Sequence, residues 1–97
     1  MRKTLLGITL ISTMMLAADG AAIYKKCSSC HGSQGEKKAL GKSKVINEMS
    51  KKDLLTALNG YKDGSYGGAM KGLMKGQVSK LAPEDITALA EHISTLK

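Results

Sequence analysis

Residues 25–36 read KKCSSCHGSQGE. This stretch holds both cysteines of the chain, Cys27 and Cys30, with His31 directly behind the second. Two thiols three apart and an adjacent imidazole suit three kinds of chemistry: thiol–disulfide exchange, metal binding, or the attachment and ligation of a haem. A redox Cys-x-x-Cys pair works by depressing its first thiol at the start of a helix, in a βαβ context. Here the motif falls at the end of the first expected helix, and no strand-like alternation flanks it. A structural zinc site needs four ligands. Cys27, Cys30 and His31 supply three, the one other histidine is His92, and adjacent ligands 30 and 31 would crowd a tetrahedral centre. Cys-x-x-Cys-His is, by contrast, the attachment signature of c-type haem. On a helical turn the sulfurs at i and i+3 share a face and can form thioethers to two vinyl groups. His31 can then turn a ring nitrogen to the iron as proximal ligand. One covalently bound haem c is therefore the expected cofactor, attached through Cys27 and Cys30 and ligated by His31.

Short helices divided by glycine-rich loops must position these residues. No stretch alternates with period two, so the fold class expected is all-α. Asp19 can cap a first helix through about Cys27. Residues 32–44 are polar and rich in Gly and Lys, and read as loop. Ser50 to Asp53 has the pattern of a capping box with Asp in the usual Glu position. The helix it opens carries Leu54, Leu55, Ala57 and Leu58 and is expected to stop at Gly60. YKDGSYGG (61–68) reads as a turn-rich loop and 69–79 as a short helix. Pro83 suits a first helical position, and Glu84 and Asp85 suit the positive end of the dipole. Ile86, Leu89, Ala90 and Ile93 form the apolar stripe of a last helix reaching about Leu96.

Ahead of this domain, Met1-Arg2-Lys3 leads into LLGITLISTMMLAA, an uncharged run from Leu5 to Ala18. It is too short for a membrane span, which takes about 20 apolar residues. It fits a secretory signal peptide over 1–17, with the mature domain at 18–97 and Asp19 as the alternative start. No stable membrane insertion is expected after cleavage. Residues 18–97 hold no Phe, no Trp and three tyrosines, Tyr24, Tyr61 and Tyr66. So small a domain struggles to build a core from side chains alone, and a large flat apolar cofactor would fill the gap. Thirteen lysines against eight acidic residues leave this part at +5, with no arginine. Without arginine forks or stacking aromatics, nucleic-acid binding is a poor reading of that charge. Steering to acidic protein patches is a better one.

A second axial ligand separates electron transfer from chemistry at the iron. The candidates in 18–97 are Met49, Met70, Met74 and His92, although methionines at helical spacing are more often core. At this point the stretches ADGAAIYKKCSSCHG, GYKDGSYGG and EDITALAEHISTL matter together. Across residues 18–97 the chain resembles the small soluble bacterial class I cytochromes c, of the c-553 type. The resemblance implies an all-α fold of short helices and loops wrapped around one covalently attached haem. It implies a distal methionine six residues beyond the second glycine of SYGG, which is Met74, with Met70 as second choice. It also implies that Gly20 and Tyr24 on the first helix cross a residue of the last. His92 stands there, where an aromatic is commoner, so His92 is expected to pack and not to ligate.

One departure stands out. Many class I cytochromes carry a proline soon after the motif, whose carbonyl accepts from the proximal histidine. The only proline here is Pro83, so another carbonyl, sought within 39–44, would have to replace it. What the resemblance implies is a monomeric periplasmic electron carrier and not an enzyme. It would exchange single electrons with respiratory partners bearing acidic docking patches: a cytochrome bc complex, a terminal oxidase or a cytochrome c peroxidase. Lys37, Lys38, Lys42, Lys71 and Lys75 are the lysines expected near the haem edge. The rival reading is a gas-binding or catalytic haem protein with an open sixth site.

Overall fold

The computed structural model describes residues 18–41, 43–69 and 71–96. Every regular element among them is helical: α1 (Gly20–Tyr24), α2 (Ser28–His31), two 3₁₀ turns (Ala39–Gly41 and Ile46–Glu48), α3 (Lys51–Asp63), α4 (Lys71–Val78) and α5 (Pro83–Ser94). The all-α expectation holds. Residues 1–17, where the signal peptide is expected, lie outside the described residues, as do Lys42 and Met70. No described helix is long and apolar enough to cross a membrane.

Asp19 caps α1, its Oδ1 accepting from the N–H groups of Ala21 (3.1 Å) and Ala22 (3.3 Å). The helix expected to run to Cys27 is instead split. Lys25 N–H turns to Ala22 C=O and Cys27 N–H to Tyr24 C=O, both three residues back. This tighter bonding ends α1 and re-aims the chain before α2 begins.

Ser50 caps α3 as expected, its hydroxyl accepting from Asp53 N–H at 3.1 Å. The helix does not stop at Gly60 but runs on to Asp63. Gly64, at φ 86°, provides the left-handed cap, its N–H donating to Gly60 C=O. In α5, Pro83 takes the first position and Asp85 Oδ2 accepts from Ala82 N–H at 2.9 Å. This helix ends at Ser94, two residues earlier than the sequence suggests.

The core is Tyr24, Leu54, Leu58, Val78, Ile86, Leu89, Ala90 and Ile93. α5 is its spine, packed by both α1 and α3, while α4 lies against α3. The α1–α5 crossing depends on Gly20, where a Cβ would fall 2.2 Å from the Ala88 carbonyl oxygen. Beside it the Tyr24 and His92 rings meet at 5.5 Å, tilted by 51°. His92 therefore packs at the helix crossing.

Candidate functional site

The Cys-x-x-Cys-His turn is held by backbone bonds at both ends. His31 N–H donates to Cys27 C=O at 3.0 Å, and the His31 carbonyl accepts from Lys37 N–H at 2.9 Å. Tyr24 adds a buried tie, its hydroxyl donating to the Gly32 carbonyl at 2.6 Å. Burial, with Cys27 and Glu36 nearby, pushes the Tyr24 hydroxyl up, so it remains a protonated donor.

Cys27 directly precedes α2, so the motif opens a helical turn of its own instead of ending a longer helix. Both cysteines are free, Cys27 half-buried and Cys30 exposed. Burial pushes the Cys27 thiol up, with Cys30 adding to this and Lys26 opposing it. A disulfide-exchange thiol needs the reverse shift. His31 is only 6 % exposed. Its burial lowers the imidazole pKa, which keeps the ring neutral. Its Nδ1 is buried with no hydrogen-bond partner. The carbonyl sought within 39–44 therefore does not appear among the described residues, although the 39–41 turn packs against α2.

Cys27, Cys30 and His31 line a cavity of about 490 Å³ that Met74 of α4 also lines. Leu54, Leu58, Val78 and Ile93 belong both to the core and to this lining, so the cavity is cut into the core itself. Such a volume falls within the range of about 300–1,000 Å³ typical of ligand pockets. A covalent haem suits what is present: an apolar cavity in the core of a small chain, two free thiols at its edge, and a histidine on its lining that burial keeps neutral. Metal binding by side chains alone does not, since no group of three or more His, Cys, Asp or Glu among the described residues could hold an ion.

Of the other candidate ligands, Met49 also lines the cavity, whereas His92 does not. Of the lysines singled out, Lys71 lines it, and so do Lys26 and Lys44, which sequence reasoning passed over. It also missed the apolar rim. Leu40 (59 % exposed) and Leu73 (49 %) both line the cavity, and Leu40 sits at φ 54°, an uncommon conformation for a branched side chain. Tyr61 and Tyr66, read as loop, form an edge-to-face pair on the same lining, with centroids 5.2 Å apart. The repeated Gly–Tyr pattern around them was the one signal that could have pointed there.

The sequence profile of the family described as Cytochrome c matches residues 17–97. The chain belongs to the cytochrome c family. Among its relatives, a Cytochrome c-553 of Helicobacter pylori strain J99 is 44% identical over 92 residues, covering 95% of this chain and 93% of the relative. A Cytochrome c-553 of Nitratidesulfovibrio vulgaris is 42% identical over 81 residues, covering 84% and 79%. A Cytochrome c-553 of Desulfomicrobium norvegicum is 43% identical over 77 residues, covering 78% and 94%. Cytochromes c hold haem c covalently, and the Cys27–Cys30–His31 spacing is the one this attachment uses. The chain is thus a small cytochrome c, an electron carrier and not an enzyme.

Proposed function

We propose that residues 18–97 form a periplasmic one-electron carrier in which His31 and Met74 hold the haem iron, and that residues 1–17 are the secretory signal delivering it there. The observation that carries this reading is a single cavity, cut into the core, with Cys27, Cys30, His31 and Met74 all on its lining. Haem c, when bound, supplies a metal centre that alternates between ferric and ferrous. The chain does the rest. Cys27 and Cys30 fix the group through thioethers. His31, kept neutral by burial, offers an imidazole in the form a metal accepts. Met74 would offer a thioether, and a His/Met ligand pair would raise the potential and leave no open site for a further ligand. The apolar lining keeps water from the centre. The exposed lysines that line the cavity, Lys26, Lys44 and Lys71, favour partners with acidic docking patches, such as a cytochrome bc complex, a terminal oxidase or a cytochrome c peroxidase. The carrier acts as a monomer.

Two variants test the ligand assignment. Met74→Ala is expected to lose the far-red methionine–ferric absorption band and to bind carbon monoxide once reduced. Met70→Ala should keep the band and stay closed to carbon monoxide. The opposite pattern would move the ligand to Met70. Carbon monoxide binding by the unmodified protein would favour the open-site reading.

A further inference from the structure

Residues 60–67 read GYKDGSYG, a glycine–tyrosine pair at each end with the order reversed. Folding brings the two ends together. The N–H groups of Ser65 and Tyr66 both donate to the Gly60 carbonyl, at 2.9 and 3.3 Å, and the Tyr66 ring stands edge-on to Tyr61. Each glycine is packed against the other end of the segment. A Cβ on Gly60 would lie 2.4 Å from the Tyr66 Cβ. A Cβ on Gly67 would lie 2.6 Å from Tyr61 Cε1 and 2.7 Å from Lys71 Cβ, and Gly67 already needs φ 107°. These are approaches that only a glycine permits. The atoms met at Tyr66 and Lys71 are Cβ atoms, so relief would require the backbone to move and not merely a side chain.

Gly67 packs on Lys71, the first residue of α4, and Lys71 N–H bonds back to the Gly68 carbonyl at 3.1 Å. Met74 lies one helical turn further along α4. We propose that Gly60–Tyr61 and Tyr66–Gly67 form a reciprocal clasp that fixes the start of α4 against α3 and so sets where the Met74 thioether lies in the cavity. Gly60, which does not itself line the cavity, is then a positioning residue for a distal ligand on another helix. The inference rests on the His31/Met74 reading above. The clasp supplies no ligand. It makes Met74 the side chain that α4 presents at a fixed place.

The test uses the holoprotein, with haem content, helicity, the far-red band and carbon monoxide binding all measured. Gly60→Ala is expected to keep haem and helicity, to lose more than half of the band, and to bind carbon monoxide when reduced. Gly76→Ala, on α4 with open space around it, makes the same chemical change and should leave all four readings as they were. Tyr66→Gly removes the clasp without adding an atom, so it keeps the test alive if Gly60→Ala fails to fold, and it too should weaken the band. In the Tyr66→Gly background, Gly60→Ala should cost nothing further. A full band in either single variant, or strictly additive losses in the pair, overturns the clasp. Absence of the band from the unmodified protein overturns the His31/Met74 reading and the clasp with it.

Discussion

A buried imidazole whose Nδ1 finds no partner carries a desolvation cost that folding alone does not recover. His31 is in that position: the carbonyl that would accept from Nδ1 is missing among the described residues, so the cost stands even when the other ring nitrogen serves a metal. Tyr24 supports the turn from behind. Its hydroxyl donates to the Gly32 carbonyl, which also accepts from the Gly35 N–H at 3.1 Å. Tyr24→Phe is expected to lower stability by about 1 kcal/mol, read as a fall in the denaturant midpoint of the holoprotein with an unchanged slope. No change in the midpoint would mean that this bond is incidental. At this scale much of the site was legible. Cys27, Cys30 and His31 are neighbours in sequence, and their spacing alone implies a shared helical face. Tyr61, Tyr66, Leu40 and Leu73 were not legible as lining. Their roles come from contacts between separate elements, which no local pattern encodes. Lys26 was passed over for a similar reason: lysines on a small basic surface look alike until a cavity distinguishes them.

The elements were read well by type and less well by extent. All four expected helices have counterparts, with the separate turn α2 and two 3₁₀ turns besides; the apolar spacing of 54–58 and 86–93 and the caps at Asp19, Ser50 and Pro83 are the local signals that made them legible. Two boundaries went astray for identifiable reasons. Gly60 looks like a helix stop, yet it is buried inside α3 because Tyr66 needs the space. The first helix breaks at Tyr24 because its last bonds tighten to three-residue spacing, which the sequence does not announce. The α1–α5 crossing provides the sharpest test among the elements. A methyl group at position 20 would press on the Ala88 carbonyl, and backbone cannot yield as a side chain would. Gly20→Ala is expected to cost about 1–3 kcal/mol through forced separation of the helices. In a domain this size that is a fall in Tm of very roughly 10 °C. A Tm within a degree or two of the unmodified protein would show that the helices do not meet as closely as described.

At the scale of the whole molecule, the shortage of aromatic side chains and the cavity are one fact. The cavity of about 490 Å³ is cut into the core and open at its rim, in a domain too small to build much core from side chains alone. Haem c fills it and becomes part of the core, which fits a chain without Phe or Trp. The charge belongs to this scale too. With thirteen lysines among residues 18–97, and Lys26, Lys44 and Lys71 lining the cavity among the described residues, the field around the centre is positive. Lys44→Glu with Lys71→Glu is expected to slow electron transfer to an acidic redox partner by about tenfold at low salt, the difference shrinking as ionic strength rises. Lys80→Glu, away from the cavity lining, should have a much smaller effect. Equal effects at both places would reduce the lysines to a general aid to solubility.

Whether His31 and Met74 hold the iron in a closed site is read from the visible spectrum of the native protein. It should be recorded oxidised, reduced, and reduced under carbon monoxide at neutral pH. Sharp c-type bands are expected on reduction, a weak far-red methionine band on oxidation, and no shift on adding carbon monoxide. A carbon monoxide shift in the unmodified protein would contradict it, because a site already filled by His31 and Met74 has no place for the gas.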